Sequence, residues 1–248
     1  MSTRVATRVV SRAATADLAI AAALWGGMYV LSAETFAAIP PATLGLLRLA
    51  IGVAALATFA ALRSESLGWS RAPKGAVLRA GVAVAASILL QFVGTALTSA
   101  VEGSIVTMAT PVFVLIFGWA LEGVRVPRQA WFGIVLAAIG VVALALRSSG
   151  GGDLVADAST SRLLGIAMLI GGGAAWALFS SLGRPIVAAV GARNAVTLSA
   201  GLAIPLMVPF VVAELAIGGI DLAAATTPST LLAVLYLGVG ATSIGWSC

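Results

Sequence analysis

Three ionisable side chains fall inside long apolar runs: Glu34, Arg48 and Glu102. Taking such a group out of water is costly, so each is a functional hypothesis by default. Glu34 lies about five residues before the end of one run and Arg48 about seven after the start of the next, which at 1.5 Å per residue puts both roughly 8 to 10 Å below the same surface. That depth predicts an ion pair in the outer third of a helical bundle, open to substrate or to proton exchange. A purely structural pair, or an Arg48 that snorkels to the headgroups, is the alternative. Glu102 opens a further run, where a carboxylate favours a helix N-terminus. Gln91 is a polar group at depth that either faces a cavity or bonds to a neighbouring helix. Trp25, Tyr29 and Trp176 either wall a cavity for an amphipathic compound or act as packing and interfacial aromatics. Pro111, close to Thr107 and Thr110, removes a backbone donor and permits a kink that the hydroxyls can re-satisfy. Pro205 and Pro209 offer the same device in a later run.

Other chemistries are excluded by what the chain lacks. There is no histidine, hence no Ser-His-Asp or Cys-His nucleophile and no His-ligated zinc. The single cysteine is Cys248, so neither an intrachain disulfide nor a cysteine metal cluster can form. No G-x-x-x-x-G-K-[ST] loop cradles a nucleotide. Asp17, Asp153, Asp157 and Asp221 sit at the ends of runs or between them, which argues against an intramembrane aspartyl protease. The formal charge of +5 is not arranged as a basic groove interleaved with aromatics, so no nucleic acid is implied. The residues point to no enzyme, no metal and no cofactor.

The elements that must position these side chains follow from composition. Hydrophobic residues make up 60% of the 248 and charged residues 9%, against about 25% charged in a soluble domain. A helix needs roughly 20 apolar residues to cross a bilayer. Eight stretches meet or approach that length, at about 17–38, 41–62, 79–98, 101–121, 127–146, 163–183, 195–217 and 231–248. Nothing alternates in polarity as a membrane barrel strand must. The first stretch is too long for a signal-peptide core and is followed by seven more, so it reads as an uncleaved helix. With the N-terminus in the cytoplasm, eleven of the fourteen Lys and Arg fall on the inner side, Arg147 and Arg162 fall outside, and Arg48 is buried. Arg184, beside Pro185, reads as a positive-inside anchor closing the sixth span. Gly26-Gly27 and Gly171-Gly172-Gly173 let helices approach closely.

The chain repeats itself. Aligning Trp25 with Trp176 gives an offset of 151, which places Ala37-Ala38-Ile39 on Ala188-Ala189-Val190 between consecutive spans. A slightly larger offset pairs Leu78 and Gly81 with Leu235 and Gly238. Each unit is built on five spans, and five is odd, so the second copy must be inverted, as in secondary transporters. The expected organisation is a cytoplasmic tail (1–16), a first repeat (17–146), a Gly/Ser-rich linker (147–162) and a partial second repeat (163–248). Counterparts of residues 92–146 are lacking, so the chain reads as a piece of a ten-helix pattern.

These features resemble the EamA-like family of the drug/metabolite transporter superfamily. The resemblance is carried by Leu24-Trp25-Gly26-Gly27, Leu47-Arg48-Leu49, Thr98-Ser99-Ala100, Thr110-Pro111-Val112-Phe113, Gln129-Ala130-Trp131-Phe132-Gly133, Gly140-Val141-Val142, Trp176-Ala177-Leu178 and Tyr236-Leu237-Gly238-Val239. One departure is the turn Gly123-Val124-Arg125-Val126, where Val124 occupies an acidic slot and Glu122 lies two residues earlier. The resemblance implies an all-α bundle of inverted repeats around a central cavity. It further implies secondary transport, as an exporter, of small metabolites or amphipathic compounds across a bacterial cytoplasmic membrane. The expected partners are a small-molecule substrate and the lipid bilayer, with a homodimer left open. The other reading is a non-transporting membrane remnant of such a carrier.

Overall fold

Apolar runs bounded by proline, glycine and charge become helices whose ends can be traced to those residues. The computed structural model describes residues 12–124, 126–147 and 156–246. Most of the predicted tail, the linker glycines, Asp153, Arg125 of the departing turn and Cys248 lie outside the described residues. Helix α1 spans Arg12–Thr35 and α2 spans Pro41–Leu62, with α2 opening on Pro41, whose missing N–H costs nothing at the first helical position. Helix α3 covers Lys74–Ala96, starting five residues earlier than the sequence suggested. The fourth crossing is broken into α4 (Ala100–Thr107) and α5 (Thr110–Glu122). Ser99 caps α4 by accepting from the Glu102 N–H at 3.2 Å. At the break Thr110 Oγ1 donates to the Thr107 carbonyl at 2.6 Å, beside the donor that Pro111 removes. Gly123 ends α5 in the left-handed region (φ 67°), a conformation costly for a side chain. Helix α6 is Arg128–Arg147.

Three expectations about the second half are corrected. Helix α7 runs Ala156–Val190, so helix begins inside the predicted linker 147–162. It also continues through Pro185, so Arg184 does not close the span. Consequently Ala188-Ala189-Val190 forms the last turn of α7, whereas its repeat mate Ala37-Ala38-Ile39 lies in the turn after α1. Gly191, at φ 83°, separates α7 from α8 (Ala192–Ile217), which passes through Pro205 and Pro209. A short α9 (Leu222–Ala225) and α10 (Pro228–Leu235) follow, and α10 passes directly into a π-helix, Tyr236–Ile244.

Among the described residues there is no strand, and the protein is an all-α, multi-span membrane bundle. Five helical segments are long and apolar enough to cross a membrane: α2, α3, the α4–α5 pair, α7 from Thr160, and α8. Helix α6 and the α10–π segment are shorter apolar helices. Helix α3 sits at the centre, packed on α7 and α8, while α2 packs on α8 and the π-helix. Leu44, Leu49, Val77, Val84, Ala200, Met207 and Leu237 are fully buried in this core.

Close packing follows the inverted repeat. A Cβ on Gly81 would meet the Ser199 carbonyl at 3.1 Å and Leu202, where α3 crosses α8. A Cβ on Gly238 would meet Ile51 at 2.5 Å and the Arg48 carbonyl at 3.4 Å, where the π-helix crosses α2. The offset of 151 carries Arg48 to Ser199 and Ile51 to Leu202. The same crossing is thus made twice, each time between a helix of one half and a helix of the other. Of the flagged glycine clusters, Gly27 approaches Tyr236 and Gly172 approaches the Ser87 carbonyl, whereas Gly26 meets nothing within 4 Å.

Polar contacts between distant segments join positions that share a side in the alternation. Glu65 pairs with Arg193 and the Asn194 amide donates to the Ser66 carbonyl, beside the loop that follows α2. Beside the turn between α1 and α2, Asp221 N–H donates to the Ala38 carbonyl, and the Glu214 carboxylate accepts from Ala42 N (2.9 Å), Thr43 N (2.7 Å) and Thr43 Oγ1 (2.8 Å). A carboxylate from α8 therefore satisfies the unpaired donors of the α2 N-terminus.

Candidate functional site

Around the break in the fourth crossing lies a cavity of about 650 Å³, lined from α4, α5, α1, α2, α3, α7 and Trp246 in the turn after the π-helix. That volume is of the size that small-molecule pockets take. Its walls are mostly apolar, with Met28, Ile88, Met108, Val114 and Leu115 among them. Trp25, Tyr29, Gln91, Thr107, Pro111 and Trp176 all line it, so the structure brings these six sequence candidates to one place.

Helical spacing explains part of this convergence. Trp25 and Tyr29 are four residues apart and share a face of α1. The Tyr29 hydroxyl donates toward Thr107 Oγ1 at 2.6 Å and toward Gln91 Oε1 at 3.2 Å. The Gln91 amide then donates to Ser87 Oγ at 2.6 Å, and Ser87 Oγ donates to the Gly172 carbonyl at 2.9 Å. One buried polar chain thus ties α1, α3, α4 and α7 together. In a hydrocarbon setting each group needs such a partner. Gln91 both lines the cavity and bonds to its neighbours.

The tryptophans form a second cluster in the lining. Trp25 and Trp176, the pair that marks the repeat, meet edge to face with centroids 6.2 Å apart. Trp176 also packs against Trp246, the rings tilted by 53° with centroids 4.9 Å apart. Trp25 Nε1 donates to the Ala241 carbonyl of the π-helix at 3.2 Å. Edge-to-face geometry suits ring quadrupoles and leaves apolar faces toward the cavity.

The expected Glu34–Arg48 ion pair is not formed. Glu34 is exposed, while Arg48 is 4% exposed and turned into the bundle. Arg48 Nε donates to Thr242 Oγ1 at 2.9 Å, and Nη1 donates to the Met28 sulfur. Its guanidinium lies 5.4 Å from the Phe92 ring centre and 6.0 Å from that of Trp246. Equal depth in two consecutive helices does not fix their rotation, and α2 presents Arg48 to the π-helix rather than to Glu34. The snorkelling alternative fails on the same burial. Glu102 has a role beyond its helix terminus: its carboxylate pairs with Arg162, Arg162 Nε donating at 2.8 Å, which ties α4 to α7.

Several participants were not singled out from the sequence: Met28, Thr242 and Trp246 around Arg48, and Glu214 at the α2 N-terminus. Trp246 carries a signal, being a tryptophan near the end of an apolar run. Thr242 carries none, because its pairing with a residue 194 positions away depends on helix rotation.

Residues 16–146 match the profile described as the EamA-like transporter family, over half of the chain. A solved structure described only as "Crystal structure of protein" is similar to this chain with a TM-score of 0.65 at 20% identity, covering 94% of this chain and 76% of that one. At that identity the likeness is one of fold. No curated protein matches the chain.

Proposed function

The chain belongs to the EamA-like transporter family, and from that premise we propose that it exports a small metabolite or amphipathic compound across a bacterial cytoplasmic membrane by alternating access. The observation that carries this reading is the cavity lined both by the repeat-related Trp25 and Trp176, which meet, and by the Tyr29–Gln91–Thr107 cluster. A site between inverted halves is accessible from either side as one half rocks against the other. Two elements, one in the wall and one packed behind it, suit that motion. The α4–α5 break already lacks part of its hydrogen-bond ladder, and the π-helix has a looser i to i+5 pattern of the kind found at functional sites. The lysine and arginine asymmetry supports a cytoplasmic N-terminus.

Reconstitution in proteoliposomes with amino acids, purine compounds and cationic drugs tests the reading. Uptake of at least one compound, driven by an imposed gradient or by exchange, is the expected result. No flux for the whole panel under any gradient would overturn it. Orientation is checked in a Cys248→Ser background by Ser66→Cys and Ser229→Cys, which lie on exposed loop or helix-end positions. The two thiols should label from opposite compartments, Ser66→Cys from the cytoplasm.

A further inference from the structure

Of the side chains lining the cavity, Arg48 alone carries a charge, among the described residues. Its Nε and Nη1 go to neutral acceptors, Thr242 and Met28. The acids whose side chains are described are committed or exposed: Glu65 to Arg193, Glu102 to Arg162, Glu214 to the α2 N-terminus, Asp221 to the Ala224 N–H, and Glu34 exposed. A cation buried at an apolar cavity with no counter-ion among the described side chains is electrostatically incomplete. Aromatic faces at 5.4 and 6.0 Å offset part of that cost but cannot neutralise the charge. A planar guanidinium is shaped to take two oxygens of one carboxylate. Beside it, Trp176 and Trp246 offer an apolar wall for a ring or alkyl body.

We propose that the cavity selects organic anions: a carboxylate seated on Arg48, joined to an apolar or aromatic body lying on Trp25, Trp176 and Trp246. The inference rests on the cavity being the substrate site and names its substrate class. The bound carboxylate completes the charge of Arg48 and is shielded from water by the same rings. Cations of equal size are repelled by Arg48, and neutral analogues leave it unneutralised. Polarity of the ligand is thus read by one residue and its bulk by three.

The experiment uses the purified full chain in detergent and three probes with one skeleton: 3-phenylpropionate, 3-phenylpropanamide and 3-phenylpropylammonium. Quenching of tryptophan fluorescence reports binding. The expected result is a carboxylate Kd at least tenfold below that of the amide, with the ammonium weakest. Arg48→Gln should erase that preference, and Arg48→Lys should retain part of it. The proposal is overturned if none of the three binds, if the amide or ammonium binds as well as the carboxylate, or if the preference survives in a folded Arg48→Gln protein. The three-ligand comparison is made within the unmodified chain, so a variant that fails to fold does not decide the matter. Flux measurements separate the two readings. Binding of the carboxylate with no transported compound removes the carrier reading and leaves the anion site standing. Transport of neutral or cationic compounds with no carboxylate preference does the reverse.

Discussion

Helix α3 and the α4–α5 pair follow one another in the chain and have equal mean hydropathy, yet 61% of the apolar window of α3 is buried inside the protein against 11% of that of α4–α5. The difference lies in side-chain size at the contact. Helix α3 buries Ala76, Ala80, Gly81, Ala83, Ala85, Ser87 and Gly94, which let α7 and α8 come near. Helices associating in lipid gain from close packing rather than from removing apolar surface from water. The α4–α5 pair turns Met108, Val114, Trp119 and Leu121 outward or into the cavity, and Trp119 meets Trp131 of α6 at 6.1 Å. One crossing is chiefly scaffold, lending only Ile88 and Gln91 to the cavity, and the other supplies more of its wall. Total hydropathy is blind to that division, whereas the pattern of small residues reports it.

The sharpest way to break the comparison is to add a single methyl group to each region. In Gly94→Ala the new Cβ would meet the Gly165 carbonyl at 2.8 Å and the Leu169 nitrogen at 3.1 Å, both backbone atoms that cannot turn aside. The expected loss is about 1–3 kcal/mol of stability, read from unfolding in detergent. Next comes Tyr29→Phe, which removes the hydroxyl joining α1 to both α3 and α4. Interhelical hydrogen bonds in membranes are worth about 0.6 kcal/mol on average and up to about 1.7, so an intermediate loss is expected in the same assay. Gly118→Ala in α5, where a Cβ meets nothing within 4 Å, should shift stability by less than about 0.5 kcal/mol. If Gly94→Ala and Gly118→Ala cost the same, the contrast between scaffold and wall is wrong.

Much of the candidate site was legible because its signals are local or repeated. Trp25 and Trp176 stand at one offset in two copies, and Pro111 with its threonines marks the broken crossing. Gly81 and Gly238 marked the second offset, and each packs on the same face of its partner helix. The electrostatics were not legible. Glu34 and Arg48 share a depth but not a direction, and a helix turns 100° per residue, so a modest rotation separates them. Glu102 was assigned to a helix end, yet Arg162 reaches it from α7 across a gap of 60 residues.

By itself the sequence determined that the chain is helical, that it lies in a membrane, and which ends of its segments share a side. Those properties depend on apolar length and on the placement of Lys and Arg, both of which are additive along the chain. Only the tertiary structure decided that Arg48 faces Thr242 and the tryptophans, that α10 ends as a π-helix, and that Glu214 closes the α2 N-terminus. Each of those depends on how helices far apart in sequence are rotated and seated against one another, which is set by packing among all of them at once.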